Sequence, residues 1–401
     1  LAESDYDSAF LCHSKALELA RSKSNPINYL SASSYQNLGI AAHLRGDYNL
    51  AERFYTNSLK IKELLFGESN VALAKIYNNI GKFYMDLSKY DSALTYYDKA
   101  EWILNKAQST DELLFSHVYI NKGNIYTTKG DYEKSISYLQ KSLSIRQKYL
   151  SMDNTEVLIA LMDLGFSYDK KGDEQLAIEY FRKAASNKNN AFVVKVYRNL
   201  ANTYFELNQK DSANKYFYLS IDHAKKFYNE KSIDLALCYK YYGIFLESIS
   251  QDEEAIFYLN KSSTIIEYLF GSKNKDLSDV YLLQAELLAK QNNYDLALEK
   301  IQLSLISLVP TFNYTDISVN PKKSEISLDL FAVNALYLKA YVYYKYFKQN
   351  ISSINLKHSL NTINLALYVV EEIRKTYLEE ESQIILNNYA RSVIDLGVTV
   401  A

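Results

Sequence analysis

The chain is short of the residues that turn a backbone. Its 401 residues include 11 Gly and 3 Pro, where average usage of about 7% and about 5% would supply roughly 28 and roughly 20. Sandwiches, barrels and glycine-loop nucleotide folds need many tight turns, so this shortage argues against all three. Cysteine is scarce as well: Cys12 and Cys238 alone exclude a disulfide framework or Cys-rich metal site and suit a reducing compartment. The five histidines, at 13, 43, 117, 223 and 358, include no pair four residues apart, so no metal is expected. With 45 basic against 47 acidic residues there is no excess of one sign, and nucleic acid is not an expected partner. No apolar run approaches ~18 residues, which argues against a membrane-spanning helix. What is plentiful is tyrosine, 38 against 17 Phe and a single Trp, each hydroxyl needing a partner or water. Long helices joined by short polar turns remain.

Repetition is the strongest positive signal. Gly46-Asp47-Tyr48-Asn49-Leu50-Ala51 recurs as Tyr90-Asp91-Ser92-Ala93, Gly130-Asp131-Tyr132-Glu133-Lys134-Ser135 and Asn293-Tyr294-Asp295-Leu296-Ala297. The small residue falls at Ala9, Ala51, Ala93, Ser135, Ala177, Ala213, Ala255 and Ala297. Successive steps are 42 residues, except for one of 36 between Ala177 and Ala213. Twelve positions earlier stands a second small column: Gly39, Gly81, Gly123, Gly165, Ala201, Gly243 and Ala285.

Within each unit the spacing is helical. Four residues before the second column comes Tyr35, Tyr77, Tyr119, Leu161, Tyr197, Tyr239 or Tyr281. Four after the first column comes a large group, Tyr55, Tyr97, Leu139, Phe181, Phe217, Leu259 or Ile301, and three further on a small one, Ser58 through Ser304. Offsets of three, four and seven fall on one helix stripe. Large residues facing small ones let two antiparallel helices interlock, so the Tyr column is expected in the core at helix seams. Gly46-Asp47, Gly172-Asp173 and Asn208-Gln209 are expected to supply a turn and an N-cap.

These columns resemble the tetratricopeptide repeat in an elongated form of about 42 residues, similar to the repeats of kinesin light chains. HEAT and armadillo arrays share the period but not the columns. The resemblance implies an all-α fold, a right-handed superhelix (an α-solenoid) of antiparallel helix pairs. It covers residues 1–306 as a half repeat plus seven repeats, and implies a partner that is a protein or an extended peptide.

Regularity fails at 307–327, which holds Pro310 and Pro321; a structureless stretch of this length is uncommon inside an array and is usually functional. Residues 328–401 then read as a degenerate last repeat and a C-terminal amphipathic helix, with Ile385, Tyr389, Val393 and Leu396 near one face. The junction Leu305…Leu308-Val309-Pro310-Thr311-Phe312…Thr315-Asp316-Ile317…Asn320-Pro321 is similar to one in bacterial CHAT-domain proteins. Ala335-Leu336-Tyr337-Leu338-Lys339-Ala340 and Glu380-Glu381-Ser382-Gln383 carry the same likeness. There a caspase-like cysteine peptidase follows such an array, so the resemblance implies a cytoplasmic regulatory sensor arm whose catalytic domain would lie after residue 401. A stand-alone scaffold or peptide-signal receptor is the alternative, with an upstream signal peptide and the oligomeric state left open.

Chemistry inside the chain is not expected. Cys12 and His13 point about 100° apart on a helix and cannot pair as nucleophile and base. No phosphate-cradling loop is present, so no catalytic residue and no cofactor are expected. The informative positions lie two past the Tyr column, at Asn37, Asn79, Asn121 and Asn199, with Asp163 once. Two residues turn a helix by about 200°, away from the packed face. The resemblance places that face in the concave groove, where an amide that both donates and accepts suits a peptide backbone. Neighbours on it are Lys75 and Lys82; His117 and Asn124; Lys195 and Asn202; and Tyr241, where the face turns apolar. Helix-to-helix bonding by the same residues is an equally open reading.

Overall fold

The computed structural model describes residues 3–22, 27–376 and 380–400, in two compact units, Leu1–Asn187 and Lys188–Ala401. The first holds α1 (Glu3–Ser22), α2 (Tyr29–Leu44), α3 (Tyr48–Phe66), α4 (Val71–Asp86), α5 (Tyr90–Lys106), α6 (Glu112–Thr128), α7 (Tyr132–Tyr149), α8 (Thr155–Lys171) and α9 (Glu174–Ala184). The second holds α10 (Val193–Glu206), α11 (Lys210–Phe227), α12 (Ile233–Ser248), α13 (Asp252–Phe270), α14 (Lys275–Lys290) and α15 (Tyr294–Leu308). It continues with α16 (Leu330–Asn350), α17 (Ser353–Thr376) and α18 (Glu380–Val400). No strand occurs among the described residues. Each even-numbered helix from α2 to α16 pairs with the one that follows. The short α9 is where the 36-residue step falls, beside the boundary between the units.

The two small columns meet through the large one. A Cβ built on Gly39, Gly81 or Gly165 would lie 2.6–2.9 Å from ring atoms of Tyr55, Tyr97 or Phe181, and Leu139 and Leu259 fill the same role at Gly123 and Gly243. Tyr97, Phe181 and Leu139 are fully buried, as are all the small residues from Ala51 to Ala297. The side chain of Ala9 lies outside the described residues, as do those of Ile385 and Tyr389. The later serines add a bond between helices: Ser58, Ser142 and Ser262 donate to the carbonyls of Ala32, Ser116 and Ala236 at 2.7–2.8 Å.

Each intra-repeat turn needs one left-handed residue. Gly46, Ser88, Gly130, Gly172, Asn208, Ser250 and Asn292 all have φ between 56° and 87°. This column was hidden because three residue types share it: Gly without strain, Asn and Ser at a local cost. The expected N-caps differ from the structure. Asp131 caps the Lys134 amide at 3.3 Å, while Asp47, Asp173 and Gln209 make no side-chain cap. The chain instead closes the preceding helix through its backbone, as Asp47 N–H donates to Ala42 O at 2.9 Å. First helices other than α10 are capped conventionally, by Asn28, Asn70, Asp111, Asn154, Ser232, Asn274 and Asp329.

Much of the tyrosine excess forms stacks. Tyr84/Tyr96, Tyr126/Tyr138, Tyr168/Tyr180 and Tyr204/Tyr216 lie face to face with centroids 5.4–5.6 Å apart. Members of the expected Tyr column lean on the same rings, as Tyr77 does on Tyr96 and Tyr119 on Tyr138. Tyr35, Tyr197, Tyr239 and Tyr281 are buried, whereas Tyr77 and Tyr119 are half-buried. A ring in a stack buries its faces while leaving its hydroxyl at the water edge.

Between α15 and α16 the backbone has no regular structure, yet its carbonyls are held. Lys273 donates to the carbonyls of Ile306, Val309 and Phe312 at 2.7–2.9 Å, closing the end of α15. Gln302 donates to those of Tyr314, Asp316 and Val319, and Tyr343 to that of Ile317. Lys339, 1% exposed, donates to Gln302 Oε1, Val319 O and Asn320 Oδ1 at 2.7–2.9 Å. Val309, Phe312, Pro321 and Ile326 are buried beneath. The segment is irregular because side chains, not a ladder, satisfy its backbone.

Candidate interaction face on the first helices

Consecutive first helices touch along one face, and the sequence-predicted residues lie on it. Asn37, Asn79, Asn121 and Asn199 are all half-buried there. They then divide. Asn121 donates to Asn78 Oδ1 at 3.1 Å, Asn124 to Asp163 Oδ2 at 3.1 Å, and His117 Nε2 lies 3.0 Å from Glu156 Oε2. Lys75 and Lys195 approach Asp111 and Asp234 at 3.9 and 4.0 Å. Tyr241 is overlain by Arg198 at 5.3 Å and by Lys240 at 5.5 Å, and Lys240 pairs with Asp279. By contrast the side chains of Asn37, Asn79, Lys82, Asn199 and Asn202 hold no hydrogen bond or ion pair among the described residues.

Four of these links, His117–Glu156, Asn124–Asp163, Lys195–Asp234 and Lys240–Asp279, span the same 39 residues. That is the 42-residue period less one helical turn, the stagger of neighbouring first helices. Complementary side chains at period minus three were a readable signal that column analysis alone passes over. Cations inside the seams were also missed. Arg146, 3% exposed, donates to Glu156 O at 2.6 Å and to Ser116 Oγ at 3.3 Å. Lys122, also buried, bonds Asp98 and Glu101 at 2.8 and 2.7 Å. Lys62 bonds Gln36, and burial with Lys75 nearby lowers its pKa to about 8. Buried cations read as polar in any pattern, so periodicity assigns them to the surface.

Asp163 gives a pH-dependent test. Burial raises its carboxyl to about 6, against the Asn124 bond and the Arg146 charge. A raised carboxyl favours the protonated form, so the burden of the ionised group is absent below about pH 4 and complete above the folded value. Asp163→Asn, the residue sister repeats carry, can still accept from Asn124. Thermal unfolding should show the variant more stable by about 1–2 kcal/mol at pH 8 and unchanged near pH 4; equal stability at both pH values would contradict this origin.

The first unit also carries a cleft of about 600 Å³ between α3, α4 and α5. The second carries one of about 360 Å³ on the first-helix face, between α14 and α16, lined by Glu286, Leu338 and Tyr341. Burial together with Glu247 and Asp279 raises the Glu286 carboxyl. Among the described residues no group of three His, Cys, Asp or Glu is placed to hold a metal, and no helix is long and apolar enough to cross a membrane.

Helix pairs locked by glycine-against-ring contacts, with polar links between consecutive first helices, define an α-helical repeat scaffold. The particular repeat is the tetratricopeptide repeat: models of it match residues 1–64 and 114–190, and another matches 74–101. No curated protein matches the chain. Among solved structures, the apo form of RapI superposes with a TM-score of 0.56 at 17% identity, over 91% of this chain and 97% of that one. Kinesin light chain TPR-like repeats of Podosopora anserina give 0.42 at 14% identity, over 50% and 97%. The Cut9–Hcn1 assembly of the APC/C gives 0.48 at 17%, over 78% and 52%. The likeness to RapI spans nearly the whole chain and carries the fold.

Proposed function

We propose that the protein is a scaffold that binds an extended peptide segment of a partner along the first-helix face of each unit. The observation supporting this is the set of amides left over after the helix-to-helix links are made. In the first unit Asn37 and Asn79 keep both donors and acceptors free on that face, and Lys82 its ammonium donors; in the second Asn199 and Asn202 keep both. An amide can accept from a peptide N–H and donate to its carbonyl, one contact per repeat. The Cut9–Hcn1 structure contains a protein partner by its own description, which fits a scaffold role for this architecture. The test is selection of peptides from a display library on the full chain. Those peptides should rebind Asn79→Ala/Asn199→Ala at least about tenfold more weakly, a loss of about 1.4 kcal/mol. Undiminished binding, with unchanged melting, would reject the face.

The similarity of the 305–321 junction and the 335–340 helix to CHAT proteins supports a narrower role for the same scaffold, regulation of a caspase-like peptidase in the cytoplasm. Reading the encoded sequence after Ala401 tests it directly. A His and a Cys in a following strand-rich region would support the role, and an immediate stop would remove it.

A further inference from the structure

Three residues before each member of the second small column stands Gln36, Asn78, Ile120, Met162, Arg198, Lys240 or Leu282, at the seam between consecutive first helices. All but one of these side chains are either satisfied inside the chain or apolar. Gln36 accepts from Lys62, Asn78 accepts from Asn121, and Lys240 pairs with Asp279. Ile120 and Leu282 are buried, and Met162 is half-buried. The exception is Arg198 on α10. It is half-buried and makes no ion pair among the described residues, and its Nη1 is buried with no acceptor. A guanidinium is always charged and has only donors to offer, so an unfilled buried N–H there carries a lasting desolvation cost.

The position of the missing partner follows from the other repeats. An acid stands 39 residues after His117, Asn124, Lys195 and Lys240 and meets each of them. Thirty-nine residues after Arg198 stands Leu237. The charges near this gap do not cancel. Against Lys195 and Arg198 there is one carboxylate, Asp234, which lies 4.0 Å from Lys195. Lys240 is taken by Asp279. The remaining acids of α10 and α12 are Glu206 and Glu247, about two helical turns further along, and Lys290 holds Glu247 at 3.0 Å. One positive charge is left over at Arg198. Its guanidinium carbon lies 5.3 Å from the Tyr241 ring centre, and its other polar neighbour is the buried Cys238 thiol, a weak acceptor. An arginine held against a ring keeps its N–H edge for a planar anion that can accept two parallel bonds, and a carboxylate fits that description.

With the first-helix face as the peptide site, we propose that Arg198 receives an acidic side chain of the segment bound to the second unit. The free amides of Asn199 and Asn202 on the same helix take the peptide backbone. Leu237, Tyr241 and Ile244 on α12, all half-buried, take an apolar side chain next to the acid. The ligand thus supplies from outside what Asp279 supplies to Lys240 from within.

The probe is a display library of random octapeptides, selected in parallel on the full chain, Arg198→Leu and Leu237→Glu. Peptides selected on the parent should carry Asp or Glu at one recurrent position beside an apolar residue. Replacing that acid by its amide should weaken binding at least about tenfold. The same replacement should change nothing on Arg198→Leu, a residue the seam already accommodates at Leu282. Leu237→Glu places a carboxylate 39 residues after Arg198; it should remove the acidic preference with no loss of melting temperature, because the arginine is then filled from within. An acidic preference that persists in both variants would overturn the role of Arg198. So would displacement of the acidic peptides by inorganic phosphate at constant ionic strength, which would assign the arginine to a free anion. Selected peptides that need Asn199 but carry no acid would remove this role and leave the first-helix face standing. Peptides indifferent to Asn199→Ala, or an empty selection, would remove both.

Discussion

Raising the pH from 7 to 10 is expected to stabilise the second unit, and Lys339→Met is expected to abolish that gain. Lys339 is held by three neutral acceptors, Gln302 Oε1, Val319 O and Asn320 Oδ1, with no carboxylate bonded to it. Burial pulls its pKa down to about 7, with Asp316 opposing. The sign follows from proton counts. The unfolded chain carries the proton up to about 10.5 and the folded unit releases it near 7, so folding expels a proton between those values and stability rises with pH. The gain from pH 7 to pH 10 is on the order of 3 kcal/mol. Other charged groups act on the ammonium or feel it, namely Asp316 in the irregular segment and His358 on α17, so the comparison with the Met variant isolates the lysine. Met also leaves the three acceptors without their donor, at about 1–3 kcal/mol each when buried, so the pH slope is the decisive quantity. Hydrogen exchange of α15, α16 and residues 309–327, corrected for intrinsic rates, measures it; a slope in Lys339→Met equal to that of the parent would refute the assignment.

The second large effect concerns the glycine column. Gly81→Val should cost about 3 kcal/mol, while Gly46→Ala should cost about 1. At Gly81 the new Cβ alone would meet Tyr97 Cε1, Cδ1 and Cζ at 2.6–2.9 Å, and the ring is fully buried with nowhere to go. At Gly46 nothing lies within 4 Å, so only its φ of +81° opposes a side chain. Gly81→Ala should fall between the two, because repeat five carries Ala201 and Phe217 in the same two columns, both buried. Urea midpoints for the three variants test the order, and Gly46→Ala proving the most damaging would invalidate the packing argument.

Much of the fold was legible because it is local and repeated. The Gly39-to-Gly243 column and the Tyr55-to-Ile301 column sit 16 residues apart, and a two-helix unit has few ways to bring them together. The 36-residue step was legible as well, and the short α9 accounts for it. The candidate face was readable only in part. Two residues past Tyr77 and Tyr197 do reach it, but nothing in the column separates Asn79, which stays free, from Asn121, which bonds Asn78. That difference depends on the stagger of neighbouring helices, a quantity no single repeat contains. The tyrosine stacks were missed for a similar reason, since Tyr84 and Tyr96 belong to different helices and meet only once the pair has closed.

The shortage of glycine and proline therefore settled the class of architecture, and the spacing of small residues settled the repeat, since backbone turns and close helix approach are decided within some forty residues. Which polar side chains are consumed inside the molecule was decided by tertiary structure alone. Lys339, Lys122 and Arg146 look like surface residues in any linear pattern, and they are buried because distant carbonyls and carboxylates converge on them, while Lys273 stays exposed with its ammonium held by three carbonyls. Likewise 307–327 reads as a loose interruption in one dimension and is held by Lys273, Gln302 and Lys339 in three, because a carbonyl's partner is chosen by position in space and not by order along the chain.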